Sequence, residues 1–344
     1  MDNLCHTLAG WALARTGLGR PRELPESLPR SGSPHPGRRA PAWAESLVLV
    51  LAANVPDADL VLGLLGTEVY LLWHRGLTHS VLGLAVFPPA LAYLTHALAP
   101  AFSFRRALLL WEVGFVSHVL LDLPTSWGTL ALHPWRNHRF ALDWIFIVDP
   151  VLWALLLAGI LLGVRRAQGA RRHAAAAGLT AAGLYVLLAG GLHGLAASTA
   201  RRALNLVPAA GTGDLHVFPL PFSPLRWHAV AWSGERLVHV PLDGIPPRAG
   251  TPRAEPHNLG DATVREALFT APGQAFLWWA QAPSATVDRD SSGHARVRLG
   301  DRRYAGRGVD LFAMEITLDG RGRFVRASWE GEPVFEQESP SRWP

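Results

Sequence analysis

Lysine is missing from the chain: all 32 basic residues among its 344 are arginine. Cysteine is nearly absent as well. Cys5 stands alone, and one thiol cannot bridge within a chain or build a Cys-type structural zinc site. Charge is also sparse, at 17% of residues, where an ordinary soluble domain carries about 25%. Together with 49% hydrophobic residues, this excludes disordered and collagen-like chains and a plainly soluble one. Most of the apolar excess lies before residue 200, which predicts an integral membrane part with a soluble appendix.

The formal charge of +5 and the pI near 10.2 would ordinarily point to nucleic acid. Arginine used to the exclusion of lysine is instead the mark of a GC-rich genome. These arginines also stand in short pairs beside apolar runs, where membrane proteins keep them. The expected partner is therefore the lipid bilayer, and no nucleic acid is expected.

A span needs about 20 mostly apolar residues. Runs 46–66, 80–99, 107–123, 144–163 and 174–196 meet that length. Segment 2–18 is shorter and more polar. A cleaved signal peptide is disfavoured there, because no basic region precedes Leu4 and Asp2 is acidic. The expected fold class is a membrane α-helical bundle of about six helices with a small C-terminal β-rich soluble domain, divided as 1–204 and 205–344. Loops 19–45, 100–106 and 164–173 hold eleven arginines. The other side holds five: Arg75, Arg136, Arg139, Arg201 and Arg202. The positive-inside rule then orients a multi-pass membrane chain with both termini and the β-rich domain extracytoplasmic. Loop 19–45, rich in Pro, Gly and Ser, becomes a cytoplasmic linker.

Beyond residue 204 the pattern shifts to short alternating runs. Residues 237–240, 275–279 and 295–299 read as strands, and 311–329 as a hairpin turning at Asp319-Gly320-Arg321-Gly322.

Ionisable groups inside apolar runs cost about 2.5–3.5 kcal/mol each on insertion scales, so each is a candidate site residue. Asp57 and Asp59 interrupt the second run, and His118 and Asp122 lie four apart on one helix face. His74 and His79 bracket the start of the third run, His6 lies in the first segment, and Asp143 opens the fifth. The arginine-derived topology gathers all of these near the outer face. Imidazoles and carboxylates together suit a divalent metal ion, zinc first, with manganese or iron next. A lone His–Asp pair would serve equally well as a structural hydrogen bond between helices, and Asp57 and Asp59 could cap a helix broken at Pro56. Arg75 is either a clamp on an anionic substrate oxygen or a partner of a ligand carboxylate. Glu112, Asp149 and His193 read as local partners. The 14 tryptophans read as interface belts and core.

Several segments carry a family resemblance. They are Met1–Gly10 (MDNLCHTLAG), Asn54-Val55-Pro56-Asp57-Ala58-Asp59, His74-Arg75-Gly76-Leu77-Thr78-His79-Ser80 and His118-Val119-Leu120-Leu121-Asp122. Ser126-Trp127-Gly128-Thr129, Arg139–Trp144 with Ile147-Val148-Asp149-Pro150, and Phe222–Trp227 complete the set. The chain resembles the membrane-bound metal-dependent hydrolases, also described as LexA-binding, inner-membrane-associated hydrolases, from residue 1 to about 230.

The resemblance implies a metal-dependent hydrolase of the cell (inner) membrane; the expected depth of the site, at the outer membrane–water interface, adds an ester or phosphoester of a lipid-like or lipid-linked molecule as the expected substrate. His74, His79, His118 and Asp122 are the expected principal ligands, with His6, Asp57 and Asp59 as further ligands or a second metal site. Asp143 is the candidate general base and Arg75 the candidate clamp. Two other classes stay open. One is a non-enzymatic membrane protein that binds or transports a metal ion or proton; the other is a regulatory or scaffold membrane protein.

Overall fold

The computed structural model describes residues 1–18, 40–205, 214–223, 225–306, 309–310, 312–329 and 332–334. Most of the expected linker (19–39) lies outside the described residues.

Helix α1 (Asn3–Arg15) begins where the Asp2 side chain accepts the Cys5 N–H. Helix α2 (Ala42–Ala52) ends just ahead of Pro56, which has no N–H to give and clashes with the preceding turn. The chain continues as a 3-10 helix (Val55–Leu65), bent by 45° from α2. After α3 (Thr67–Trp73), a single 3-10 turn (Leu77–His79) leads to Ser80, which caps α4 (Val81–Leu98) by accepting the Gly83 N–H. Ser103 caps α5 (Phe104–Asp122) in the same way. Asp149 caps α6 (Pro150–Leu162), and α7 (Gln168–Asn205) follows.

The residues fall into two compact units. The first comprises 1–58, 75–142 and 147–187; the second comprises 59–74, 143–146 and 188–344.

By length and composition, α4 and α7 can cross a membrane, and α2 with its bent 3-10 continuation makes a third candidate if taken as one broken span. Among the described residues the expected count of about six is not reached, for separable reasons. Segments 2–18 and 144–163 yield helices of only 13 residues each. Helix α5 has 19 residues but carries Arg105, Arg106, Glu112 and Asp122. Its length suffices for a span, but its charge is too high for one by composition.

In the first unit, Leu49, Ala52, Ala92, Leu110, Trp111 and Phe115 form one buried core. A methyl group on Gly114 would stand 2.3 Å from the Ala52 Cβ, so α5 lies against α2 at a separation only glycine permits.

The second unit holds the β-structure. One antiparallel sheet takes the order β1 (Leu215–Pro219), β2 (Arg226–Ser233), β3 (Arg236–Asp243), β4 (Arg248–Ala249), and β5 (Arg253–Pro256) also pairs with β3. Leu192, Ala196, Ala200 and Leu204 of α7 pack on this sheet at Trp227, Ala229 and Val240. Helices α8 (Ala262–Leu268) and α9 (Ala271–Trp279) precede β6 (Pro283–Arg289) and β7 (Ala295–Asp301). A two-stranded ribbon, β8 (Ala305–Gly306) with β9 (Val309–Asp310), leads to β10 (Met314–Leu318), β11 (Phe324–Trp329) and β12 (Glu332–Val334). The second sheet runs β12-β11-β10-β7-β6.

The strand readings at 237–240 and 295–299 hold, as does the hairpin, where the Asp319 carboxylate accepts the N–H groups of Arg321 and Arg323. The strand expected at 275–279 is instead the end of α9. Thr270 caps that helix through the Gly273 N–H, and Pro272 fits its first turn, a start signal that outweighs a five-residue apolar run.

Candidate metal centre

Gly114, His118 and Asp122 repeat every four residues along one face of α5. The close approach at Gly114 brings His118 to the end of α2, where its Nδ1 lies 2.7 Å from the carbonyl oxygen of Ala53. A carbonyl only accepts, so Nδ1 carries the proton and a neutral ring presents a bare Nε2. His79 closes the 3-10 turn before α4, with its Nδ1 2.9 Å from Thr78 Oγ1, and it too presents Nε2. The break after α2 delivers Asp57. Asn54 anchors that break by donating from Nδ2 to Val50 O (2.8 Å) and to Thr7 Oγ1 (3.2 Å).

These elements bring four donor atoms together. His79 Nε2 is 2.9 Å from His118 Nε2, 3.4 Å from Asp57 Oδ1 and 3.2 Å from Asp122 Oδ2. His118 Nε2 is 3.5 Å from Asp57 Oδ1 and 3.3 Å from Asp122 Oδ2. Four ligands at ordinary Zn–N and Zn–O lengths form a tetrahedron with edges of about 3.3 Å. The observed separations bracket that edge. All four residues are buried, and neither Asp57 Oδ1 nor Asp122 Oδ2 has a hydrogen-bond partner. Two bare carboxylate oxygens facing two imidazole nitrogens away from water are costly unless a cation joins them. The donor set fits a divalent metal ion.

Asp122 is held by its other oxygen. Arg75 Nη2 donates to Oδ1 at 2.9 Å, and the α-amino group of Met1 reaches the same atom. Arg75 Nη1 donates to Thr125 Oγ1 (2.9 Å), which in turn donates to the Asp122 carbonyl (2.7 Å). Arg75 adopts a left-handed backbone (φ 59°) and is fixed there as its carbonyl accepts the Leu130 N–H at 2.9 Å. Arg75, expected either as a clamp or as a carboxylate partner, is paired here with the Asp122 carboxylate.

The other expected residues fall as follows. His6 is fully buried, stacked on His118 with centroids 3.7 Å apart, its Nε2 3.4 Å from Asp122 Oδ1. Asp59 and His74 belong to the second unit, where Oδ1 and Nδ1 pair at 2.7 Å and Tyr70 stacks on the imidazole. Asp143 also belongs to the second unit, with a left-handed backbone (φ 57°) and within the field of Arg303. Asp149 is a local partner, accepting from two N–H groups of α6 and from the Tyr185 hydroxyl at 2.6 Å. His193 pairs with the Val217 carbonyl at 2.9 Å. Sequence reasoning missed Thr78, Thr125 and the Ala53 carbonyl, which orient the donors. Thr125 left one faint signal, a hydroxyl three residues past Asp122.

A model of the YdjM inner membrane protein family matches residues 1–196, the stretch that supplies every donor. The chain belongs to that family. With its apolar helices, this membership makes it a membrane protein. The uncharacterized protein YfhP of Bacillus subtilis (strain 168) is 34% identical over 155 residues, a stretch covering 44% of each chain. No solved structure matches.

Proposed function

We propose that this YdjM-family protein is a multi-pass membrane metal-dependent hydrolase. The observation that carries the reading is the buried set of four donor atoms from Asp57, His79, His118 and Asp122, spaced as ligands of one cation. These four residues would hold a divalent ion, zinc first by their nitrogen and oxygen donors, which with water as a further ligand would lower that water's pKa towards about 7 and polarise the group under attack.

The chain's own residues supply the frame. Ala53 and Thr78 fix the two imidazoles with Nε2 inward. Arg75 and Thr125 hold Asp122 so that Oδ2 faces the donors and Oδ1 does not. The surrounding elements bury all four residues. The arginine distribution supports a site near the outer membrane–water interface, with the C-terminal domain extracytoplasmic and an ester or phosphoester of a lipid-like molecule as substrate.

The test is elemental analysis of the detergent-purified protein beside His118→Ala. The wild type should retain metal through dialysis, and the variant should lose it. Equal, substoichiometric metal in both proteins would sink the metal centre and the hydrolase with it.

A further inference from the structure

Arginines near a membrane surface ordinarily lay their stems on apolar neighbours and keep their heads in water. Arg15 does not. It stands in the last turn of α1, and its Nε and Nη1 are both shut off from solvent without a hydrogen-bond partner. The Trp11 ring lies under the guanidinium, its centroid 5.1 Å from Cζ, but that contact leaves the N–H edge unmatched. Charged donors left bare in this way are costly, and a bound anion removes the cost.

Two more arginines converge on the same turn. The Arg172 guanidinium lies against Gly17, whose backbone is left-handed (φ 73°), so closely that a methyl group there would stand 2.6 Å from Nε. Arg171 packs its stem on Gly163, the residue that ends α6, and its charge acts on Arg15. Neither of these two side chains has a hydrogen bond or ion pair among the described residues. Gly17 and Leu18 also line an open cleft of about 190 Å³ together with Glu45 and Arg106. The Glu45 carboxylate is already taken, accepting from Arg106 Nε and Nη2 at 2.9 Å each, and Arg106 Nη1 stays bare. Three positive charges thus meet at the end of α1 with no counter-charge among the described residues, a repulsion that an anion relieves.

We infer that Arg15, Arg171 and Arg172 bind a phosphate group at the end of α1, with the adjoining cleft taking what the phosphate carries. The guanidinium suits that ligand, because its planar fork offers paired N–H donors to two oxygens of one phosphate. Three such forks match the several oxygens and the charge of a phosphate better than they match a lone carboxylate. The site is separate from the metal centre and does not rest on it. Arg15 stands nine residues beyond His6, about 14 Å along α1 at about 1.5 Å per residue. Two sources share this chemistry, the headgroup of an anionic phospholipid and a free phosphate. A headgroup is within reach because Arg171 and Arg172 stand in the first turns of α7, which is long and apolar enough to cross a membrane.

The experiment follows the thermal unfolding midpoint of the metal-stripped, full-length protein in a nonionic, phosphate-free detergent at fixed ionic strength. It is titrated separately with inorganic phosphate and with phosphatidylglycerol; stripping the metal keeps phosphate from acting through the metal centre. The wild-type midpoint should rise, and Arg15→Gln and Arg172→Gln should each weaken the apparent affinity about tenfold, the worth of one charge-assisted hydrogen bond. Arg165→Gln removes the same charge from the same loop but no member of the cluster, so it should respond as wild type does. A rise with phosphatidylglycerol alone identifies a lipid headgroup, and one that extends to inorganic phosphate identifies a soluble ligand. A rise that Arg15→Gln and Arg172→Gln keep in full, or that Arg165→Gln loses equally, overturns the site, as does no rise with either ligand. The Arg172 side chain makes no bond within the described fold, so its variant decides the question even if Arg15→Gln fails to fold.

Discussion

The first unit buries Asp57, His79, His118 and Asp122; the second buries Asp301 and Arg303 just as deeply. The two clusters differ in how completely they are satisfied. Asp301 accepts the N–H groups of Gln281 (2.9 Å), Ala282 (3.2 Å) and Arg303 (2.9 Å), and the Arg303 guanidinium closes on it at 2.7 Å. Arg303 also donates to the Trp279 carbonyl at 2.8 Å and lies over the rings of Trp279 and Tyr304. Charge, lone pairs and protons are matched within the pair's own neighbourhood, as a purely structural buried ion pair requires. Around Asp57 and Asp122, by contrast, carboxylate oxygens face imidazole nitrogens with no proton to share at two of the oxygens. Burial alone does not mark a functional site. An unmet valence inside it does.

The largest expected effect comes from breaking the satisfied cluster. Asp301→Ala leaves a buried guanidinium and three backbone N–H groups without their acceptor, and removing one partner of such a pair costs about 3–5 kcal/mol. Unfolding of the detergent-solubilised protein, followed by its β-sheet circular dichroism, should show that loss while metal content stays at the wild-type level. A loss below about 1 kcal/mol, the value of an exposed pair, would mean the contact is not the structural clamp it resembles.

A middle-sized effect should come from a third pair, His228 on β2 and His239 on β3, whose rings stack 4.9 Å apart with Nε2 and Nδ1 at 2.7 Å. Burial pushes both down to about 4, helped at His228 by His239 and at His239 by Arg302. The unfolded chain takes up these protons near 6.5, before the folded one does. Stability from the neutral pair is thus full above pH 6.5 and lost as pH falls from there towards 4. The unfolding midpoint should drop across that window, and His228→Leu should flatten the slope. An equal slope in the variant would assign the pH response to other groups.

How much of this was legible in the sequence differs between fold and site. Helices α4 and α7 follow from uninterrupted apolar runs, and the hairpin from Asp319-Gly320-Arg321-Gly322, because these signals are local. The donors were legible because charge inside an apolar run is expensive wherever the chain folds. What the runs could not convey was grouping. His74 and His79 stand five residues apart, yet His74 pairs with Asp59 in one unit and His79 meets His118 in the other. Arg75 is legible as a carboxylate partner, but which carboxylate it holds, and the support from Thr125, depend on the left-handed turn at Arg75 and the loop after α5.

The smallest expected effect on folding is also the sharpest test of the contrast with Asp301. Asp57→Asn keeps the shape of the side chain, removes one bare charge, and supplies an N–H that His79 or His118 Nε2 can accept. Without metal, the variant should therefore be within about 1 kcal/mol of wild type, or above it, as is common when a strained functional group is relieved. The difference should appear only on adding Zn²⁺. Wild type gains about 2.7 kcal/mol at a hundredfold excess over its dissociation constant, because the ion binds the folded state alone. Asp57→Asn, short of one anionic ligand, should gain little at the same concentration. Thermal melts of stripped and Zn²⁺-loaded protein read both quantities. If stripped Asp57→Asn falls as far as Asp301→Ala, then Asp57 is part of the scaffold, and its unpartnered oxygen is no sign of an ion.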